Sequence, residues 1–111
     1  MRVPFGIIAL LALVPAAGAL AADKKTVAYF EEVCGACHGE KGQGTPNLAP
    51  ALKGNQFVIE SSVADIGDTI TKGRDGARKR YKELASPMPA QSMSSEKLAA
   101  LIAYLKTELQ Q

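Results

Sequence analysis

Among its 111 residues the chain has no tryptophan, only two cysteines and one histidine, and just 5% aromatic side chains. Each scarcity removes a class of protein. With so few bulky side chains, a domain this small is poorly supplied with material for a hydrophobic centre, so something else is expected to fill it. One histidine and two cysteines cannot supply the four ligands of a closed structural zinc site, which usually come from two knuckles. Segments rich in Val and Ile with strict alternation are lacking, so the βαβ scaffold that surrounds a thioredoxin-like dithiol is not predicted. A disulfide between Cys34 and Cys37 would close too small a loop to stabilise much. Charge, too, is missing from Val3 to Ala22.

That uncharged segment has its own layout, "MRVPFGIIALLALVPAAGALAADKK". Arg2 gives a short positive start, Phe5 to Val14 is apolar, Pro15 and Gly18 break the run, and Ala19 and Ala21 form an A-x-A pair. This is the pattern of a secretory signal peptide, residues 1–21, cleaved after Ala21 to leave a domain of residues 22–111. The run is shorter than the ~20 apolar residues of a membrane span, so no stable membrane anchor is expected after processing. No cysteine precedes Cys34, which excludes an N-terminal lipid-modified cysteine. The formal net charge is +2, and loss of Arg2 would make it +1. An exported chain works in an oxidising space, here expected to be a periplasm. No nucleic-acid partner is expected.

What the chain does contain is gathered in one stretch, "VCGACHG", Val33 to Gly39. Both cysteines and the histidine lie side by side in it. Two thiols three positions apart can reach two vinyl groups on adjacent pyrroles and add across them as thioethers. The next residue, His38, then projects toward the iron. Histidine directly after the second cysteine distinguishes a haem attachment site from other CxxC pairs. One such motif predicts one covalent haem c, held by Cys34, Cys37 and His38.

The iron's other axial position needs a second donor. With no further histidine, that is a methionine thioether, and outside the signal segment the chain has Met88 and Met93. Pro87 and Pro89 forbid helix around Met88 and present it from a stiff, extended loop. Met93 precedes a strong helix in which Ser94 is the expected N-cap, and Glu96 suits the first turn. Met93 and Leu98 then fall at the two positions of a hydrophobic staple. Met88 is therefore the expected sixth ligand.

Taken in order, "FEEVCGACHGEKGQG", "TPNLAPALKG", "SPMPA" and "LIAYLK" resemble the class I c-type cytochromes. The resemblance spans nearly all of residues 22–111. It implies an all-α fold of three to five helices wrapped around one covalently bound haem, with the first and last helices crossing. It also implies that a loop proline carbonyl accepts a hydrogen bond from the ligating histidine, and Pro46 of "TPNL" matches that role. Phe30, Leu101 and Tyr104 match the helix crossing, whereas Thr26 stands where many relatives have glycine. Such an acceptor would fix the tautomer and orientation of His38.

Periodicity places three helices. The last carries Leu98, Leu101, Ile102, Leu105 and Leu109 as one stripe. The first runs from about Asp23, its expected N-cap, to Cys37, with Val27, Phe30, Val33 or Cys34, and Cys37 on one side. A middle helix over Glu60 to Lys72 carries Val63, Ile66 and Ile70. Between it and Met88 lies "KGRDGARKRYKE", with six basic and two acidic residues. This Lys72–Lys82 loop should border the haem, where Arg74 can pair with a propionate and the other cations can attract an acidic redox partner.

A haem iron with both axial sites filled by protein has nowhere to bind oxygen, peroxide or substrate. The expected function is therefore one-electron transfer between a protein donor and acceptor, and not enzymatic catalysis. The same haem could instead belong to an electron-accepting subunit held tightly to a dehydrogenase or oxidase. If Met88 did not bind, an open iron would make a ligand sensor or a peroxidase-like enzyme. Thiols left free would point to a thiol oxidoreductase.

Overall fold

The fold is seen in a computed structural model, which describes Gly6 and residues 22–111. The expected signal peptide and its cleavage point lie outside those residues, Gly6 apart. Among the described residues the structure is helical, with α1 (Lys24–Tyr29), a π turn (Phe30–Cys34), α2 (Gly35–His38), α3 (Gln56–Glu60), α4 (Val63–Lys72) and α5 (Ser95–Lys106). Extended pairing is confined to two isolated bridges, Thr45 with Ala49 and Arg74 with Met88. None of these helices is long and apolar enough to cross a membrane.

The first helical run begins where expected. The Asp23 carboxylate accepts the Thr26 N–H at 2.7 Å and so satisfies one of the orphan donors of the first turn. That bond holds the Asp23 carboxyl below the usual carboxylate range. The run is not a plain α-helix to Cys37. Its middle widens to a π turn, in which the Gly35 N–H reaches back to the Phe30 carbonyl. Gly39, at φ 84°, ends the run, a conformation that a residue with a Cβ rarely adopts.

Helix α5 also starts as predicted, with the Ser94 hydroxyl accepting the Lys97 N–H at 3.2 Å. Met93 and Leu98 both pack against the core. Leu101, Ile102 and Leu105 are buried along the helix, but the stripe does not end on it. Leu109 lies past Lys106 in a 3-10 turn (Glu108–Gln110), still buried.

The middle helix is split. A break at Ser61 and Ser62 separates α3 from α4, because the Ser62 hydroxyl accepts the Asp65 N–H and starts a new helix. Lys106 of α5 stabilises the break by donating to the Ser61 carbonyl at 2.5 Å. Glu60 therefore ends α3, and the residues predicted as one helix from Glu60 to Lys72 are helical as α4 only from Val63.

These elements meet in one core of Phe30, Val58, Ile66, Ile70, Leu101, Ile102, Tyr104, Leu105 and Leu109. Its centre is the crossing of the first helical run with α5. Phe30 is fully buried there, and its ring lies 5.3 Å from that of Tyr104 at a 60° tilt, a favourable aromatic geometry. Only this one side of the fold is filled by side chains. The other side is a cleft.

Candidate haem site

The cleft is bounded by the π turn and α2, by residues 48–58, by α4 and by the loop through Met88. Its free volume, counting the part open to solvent, is about 1280 Å³. Cys34, Cys37, His38, Arg74 and Met88 all line it. The structure therefore brings together every cleft residue singled out in the sequence except Pro46.

His38 is the buried polar residue of the core region. Its Nδ1 lies 2.8 Å from the Pro50 carbonyl oxygen. A carbonyl can only accept, so Nδ1 carries the proton and Nε2 keeps a free lone pair. Burial pushes the His38 pKa down, and the bond to Pro50 partly opposes this. A neutral imidazole with its second nitrogen anchored is the form in which histidine binds a metal.

The proline is not the one expected from the sequence. Pro46 sits exposed at the tip of a turn in which the Leu48 N–H donates to the Thr45 carbonyl. Asn47 follows it at φ 63°, so Pro46 and Asn47 occupy the central positions of a type II turn. The chain then comes back. Gly44, at φ 82°, packs so closely on it that a Cβ there would lie 2.6 Å from the Ala51 nitrogen. That close approach, possible only for glycine, sets the Pro50 carbonyl against His38.

Both cysteines are free thiols and half-buried. Burial, with a smaller contribution from the charge of Cys37, pushes the Cys34 pKa up to about 11. A nucleophilic redox cysteine needs the opposite shift, so the site is badly suited to thiol–disulfide exchange. Among the described residues no three His, Cys, Asp or Glu side chains gather as a cation site.

Met88 enters from an extended segment. Its N–H and carbonyl each bond to Arg74, both at 2.9 Å, and the Gln91 N–H takes the Ile70 carbonyl, also at 2.9 Å. Gly73, at φ 71°, makes this contact possible. A Cβ there would overlap the Met88 carbonyl and lie 2.8 Å from the Ala90 nitrogen.

The basic loop is less free than its charge suggests. Lys72 and Arg78 share Asp68, at 2.5 and 3.4 Å, and hold its carboxyl below the usual range, chiefly through the bond to Lys72. Arg74 donates to the Thr69 hydroxyl at 2.6 Å, and Lys82 to the Ala77 carbonyl at 3.1 Å. Lys79 donates to the Leu84 carbonyl, and Arg80 lies 5.0 Å from the centre of the Phe57 ring. Pro50, Gly44, Gly73 and Tyr81 went unpredicted as site residues. The one available hint was the second proline of "TPNLAP", four residues after the first.

The residues fit a haem well: an apolar cleft, two free thiols, a histidine with one nitrogen open, and a thioether on the same cavity. Comparisons with known proteins agree. The chain is similar to cytochrome c-554(548) of Halomonas halodenitrificans, 37% identical over 76 residues, which covers 68% of this chain and 83% of that protein. It is also similar to the Cbb3-type cytochrome c oxidase subunit FixP of Bradyrhizobium sp. (strain ORS 278), 33% identical over 66 residues. That match spans 59% of this chain but only 23% of FixP. Among solved structures, the c-type cytochrome XoxG of Methylobacterium extorquens AM1 shares the fold, with TM-score 0.56 and 22% identity over 77% of this chain and 48% of that one. So does the c-type cytochrome NirC, with TM-score 0.54 and 19% identity over 76% and 87%. The family model described as cytochrome c matches residues 24–108. The chain therefore belongs to the cytochrome c family, electron-transfer proteins that carry haem c covalently.

Proposed function

We propose that this protein is a periplasmic one-electron carrier whose haem c is tethered at Cys34 and Cys37 and ligated by His38 and Met88. The observation that carries the reading is the cleft: a histidine anchored through Nδ1 and a methionine on a separately pinned segment line the same cavity. The haem supplies the redox chemistry. The chain supplies the rest. Pro50 orients the His38 ring, and the bonds to Arg74 hold the Met88 loop at the cleft. Apolar walls exclude water, which bears on the potential. With both axial positions taken by protein the iron is closed to small ligands, and so the role is carriage of electrons and not catalysis. Arg74, on the cleft wall, would face a propionate. Protein donors and acceptors would meet the Lys72–Lys82 face, steered by charge that Asp68 only partly offsets. Export by residues 1–21 would place the domain in the periplasm.

The FixP likeness supports a second reading, in which the same domain serves as the electron-accepting subunit of an oxidase. Purification of the native protein separates the two, since a free carrier runs alone. Ligation is tested by Met88→Ala in the holoprotein. It should open the iron to carbon monoxide at neutral pH and lower the reduction potential. Met93→Ala, at the staple, should leave the spectrum intact and cost on the order of 1 kcal/mol of stability. An exchange of the two phenotypes would overturn the ligand assignment.

A further inference from the structure

Tyr81 lies in the basic loop and lines the cleft half-buried, opposite Asn55 at the start of α3. The hydrogen bonds around Asn55 leave its amide only one orientation. Its Oδ1 accepts the N–H groups of Phe57 at 3.0 Å and Val58 at 3.4 Å, as the cap of α3. Its Nδ2 donates to the Ala51 carbonyl at 2.8 Å and to the Tyr81 hydroxyl at 3.3 Å. Both amide protons are thus committed, and the bond to Tyr81 runs toward the tyrosine. The phenol therefore accepts from Asn55 and still has its own proton to give.

The surroundings say what kind of acceptor that proton suits. Among the described residues the titratable groups facing the cleft are Arg74, Lys79, Arg80, Tyr81, the thiols of Cys34 and Cys37, and the His38 ring, with no Asp or Glu. Three cations and a hydroxyl donor without a carboxylate form a site for an anion brought by the cofactor. We propose that the Tyr81 hydroxyl donates to a haem propionate and holds it ionised, with Asn55 keeping the hydroxyl turned that way. This rests on the covalent haem of the proposed function and adds a partner from the loop to the one at Arg74.

The chemistry gives a readout apart from electron-transfer activity. An ionised propionate favours the oxidised, more positive haem, so the reduction potential falls as pH rises through the propionate's midpoint. A hydrogen bond to the ionised form lowers that midpoint. The test is the reduction potential of the holoprotein, recorded from roughly pH 4, near the ordinary carboxylate value, to roughly pH 9. Tyr81→Phe keeps the ring and removes the donor, and it should raise the midpoint by about one unit. Asn55→Ser keeps a helix-capping oxygen and loses only the amide donor that turns the hydroxyl, so it should raise the midpoint in the same direction but by clearly less. A Tyr81→Phe profile that matches the native one overturns the proposal. So does an Asn55→Ser shift as large as that of Tyr81→Phe, because the hydroxyl would then act only as a bridge to Asn55. Haem that washes out of the denatured native chain would instead overturn the underlying reading of the site.

Discussion

The two walls that face each other across the cleft are built by opposite means. On the histidine side, Cys34, Cys37 and His38 sit on one continuous helical run, and local backbone bonds fix their mutual spacing. On the methionine side the segment that carries the ligand is extended. Met88 is held by a two-bond bridge to Arg74 and one further bond at Ile70, all backbone, across a glycine with positive φ. The first wall stands or falls with its own residues. The second depends on register between segments far apart in sequence, and it is the wall that can be moved without touching a ligand.

Removing the first wall should have the largest effect. Cys34→Ala with Cys37→Ala should yield a chain from which haem is lost on denaturation. Because a large cleft opens beside a small side-chain core, the haem-free form of this variant should also be largely unfolded by circular dichroism. A compact apoprotein with a cooperative melt would show that the side-chain core suffices alone.

A smaller effect, confined to the second wall, is expected of Gly73→Ala. The methyl group would meet the Met88 carbonyl in a backbone conformation that already costs a non-glycine residue ~1–3 kcal/mol. The haem should stay attached while the iron becomes accessible to carbon monoxide in part of the molecules and the potential drops. An unaltered spectrum would mean that the bridge to Arg74 does not position Met88.

The smallest effect should come from the loop's charges. Raising salt from about 0.1 M to about 1 M shortens the Debye length from ~10 Å to ~3 Å and should slow electron transfer to an acidic partner. Lys79→Gln with Arg80→Gln should flatten that dependence only modestly, because both side chains are partly occupied within the protein. A rate indifferent to salt would leave the loop as ordinary solvated surface.

The same contrast explains what could be read from the sequence. The attachment motif, the caps at Asp23 and Ser94 and the Phe30–Tyr104 crossing follow from contiguous residues or strong periodicity. The split of the middle helix was missed because Val63, Ile66 and Ile70 keep helical spacing whether or not the helix extends back to Glu60. Pro46 follows from the family resemblance of "TPNL", and the order of residues does not say how far a type II turn folds the chain back to bring Pro50 to His38 instead. Nor does a count of lysines and arginines reveal that Asp68, four residues before Lys72, takes up two of them. The bond from Lys106 to Ser61, the one from His38 to Pro50 and the pairing of Arg78 with Asp68 are contacts between segments, which a linear pattern encodes only weakly.

The π turn at Phe30–Cys34 has a consequence for chain length. A regular α-helix advances about 100° per residue, so one added residue would swing everything after it to another face. The wider turn absorbs such a residue locally, and the flanking helical stretches keep their bearings. Phe30 can thus point into the core while Val33, Cys34, Cys37 and His38 line the cleft. A chain lacking one of the exposed residues Glu31 or Glu32 would reach the same bearings through a plain α-helix. Deleting Glu31 or Glu32 should therefore shorten the distance in sequence between the buried aromatic and the first cysteine and leave both walls in place.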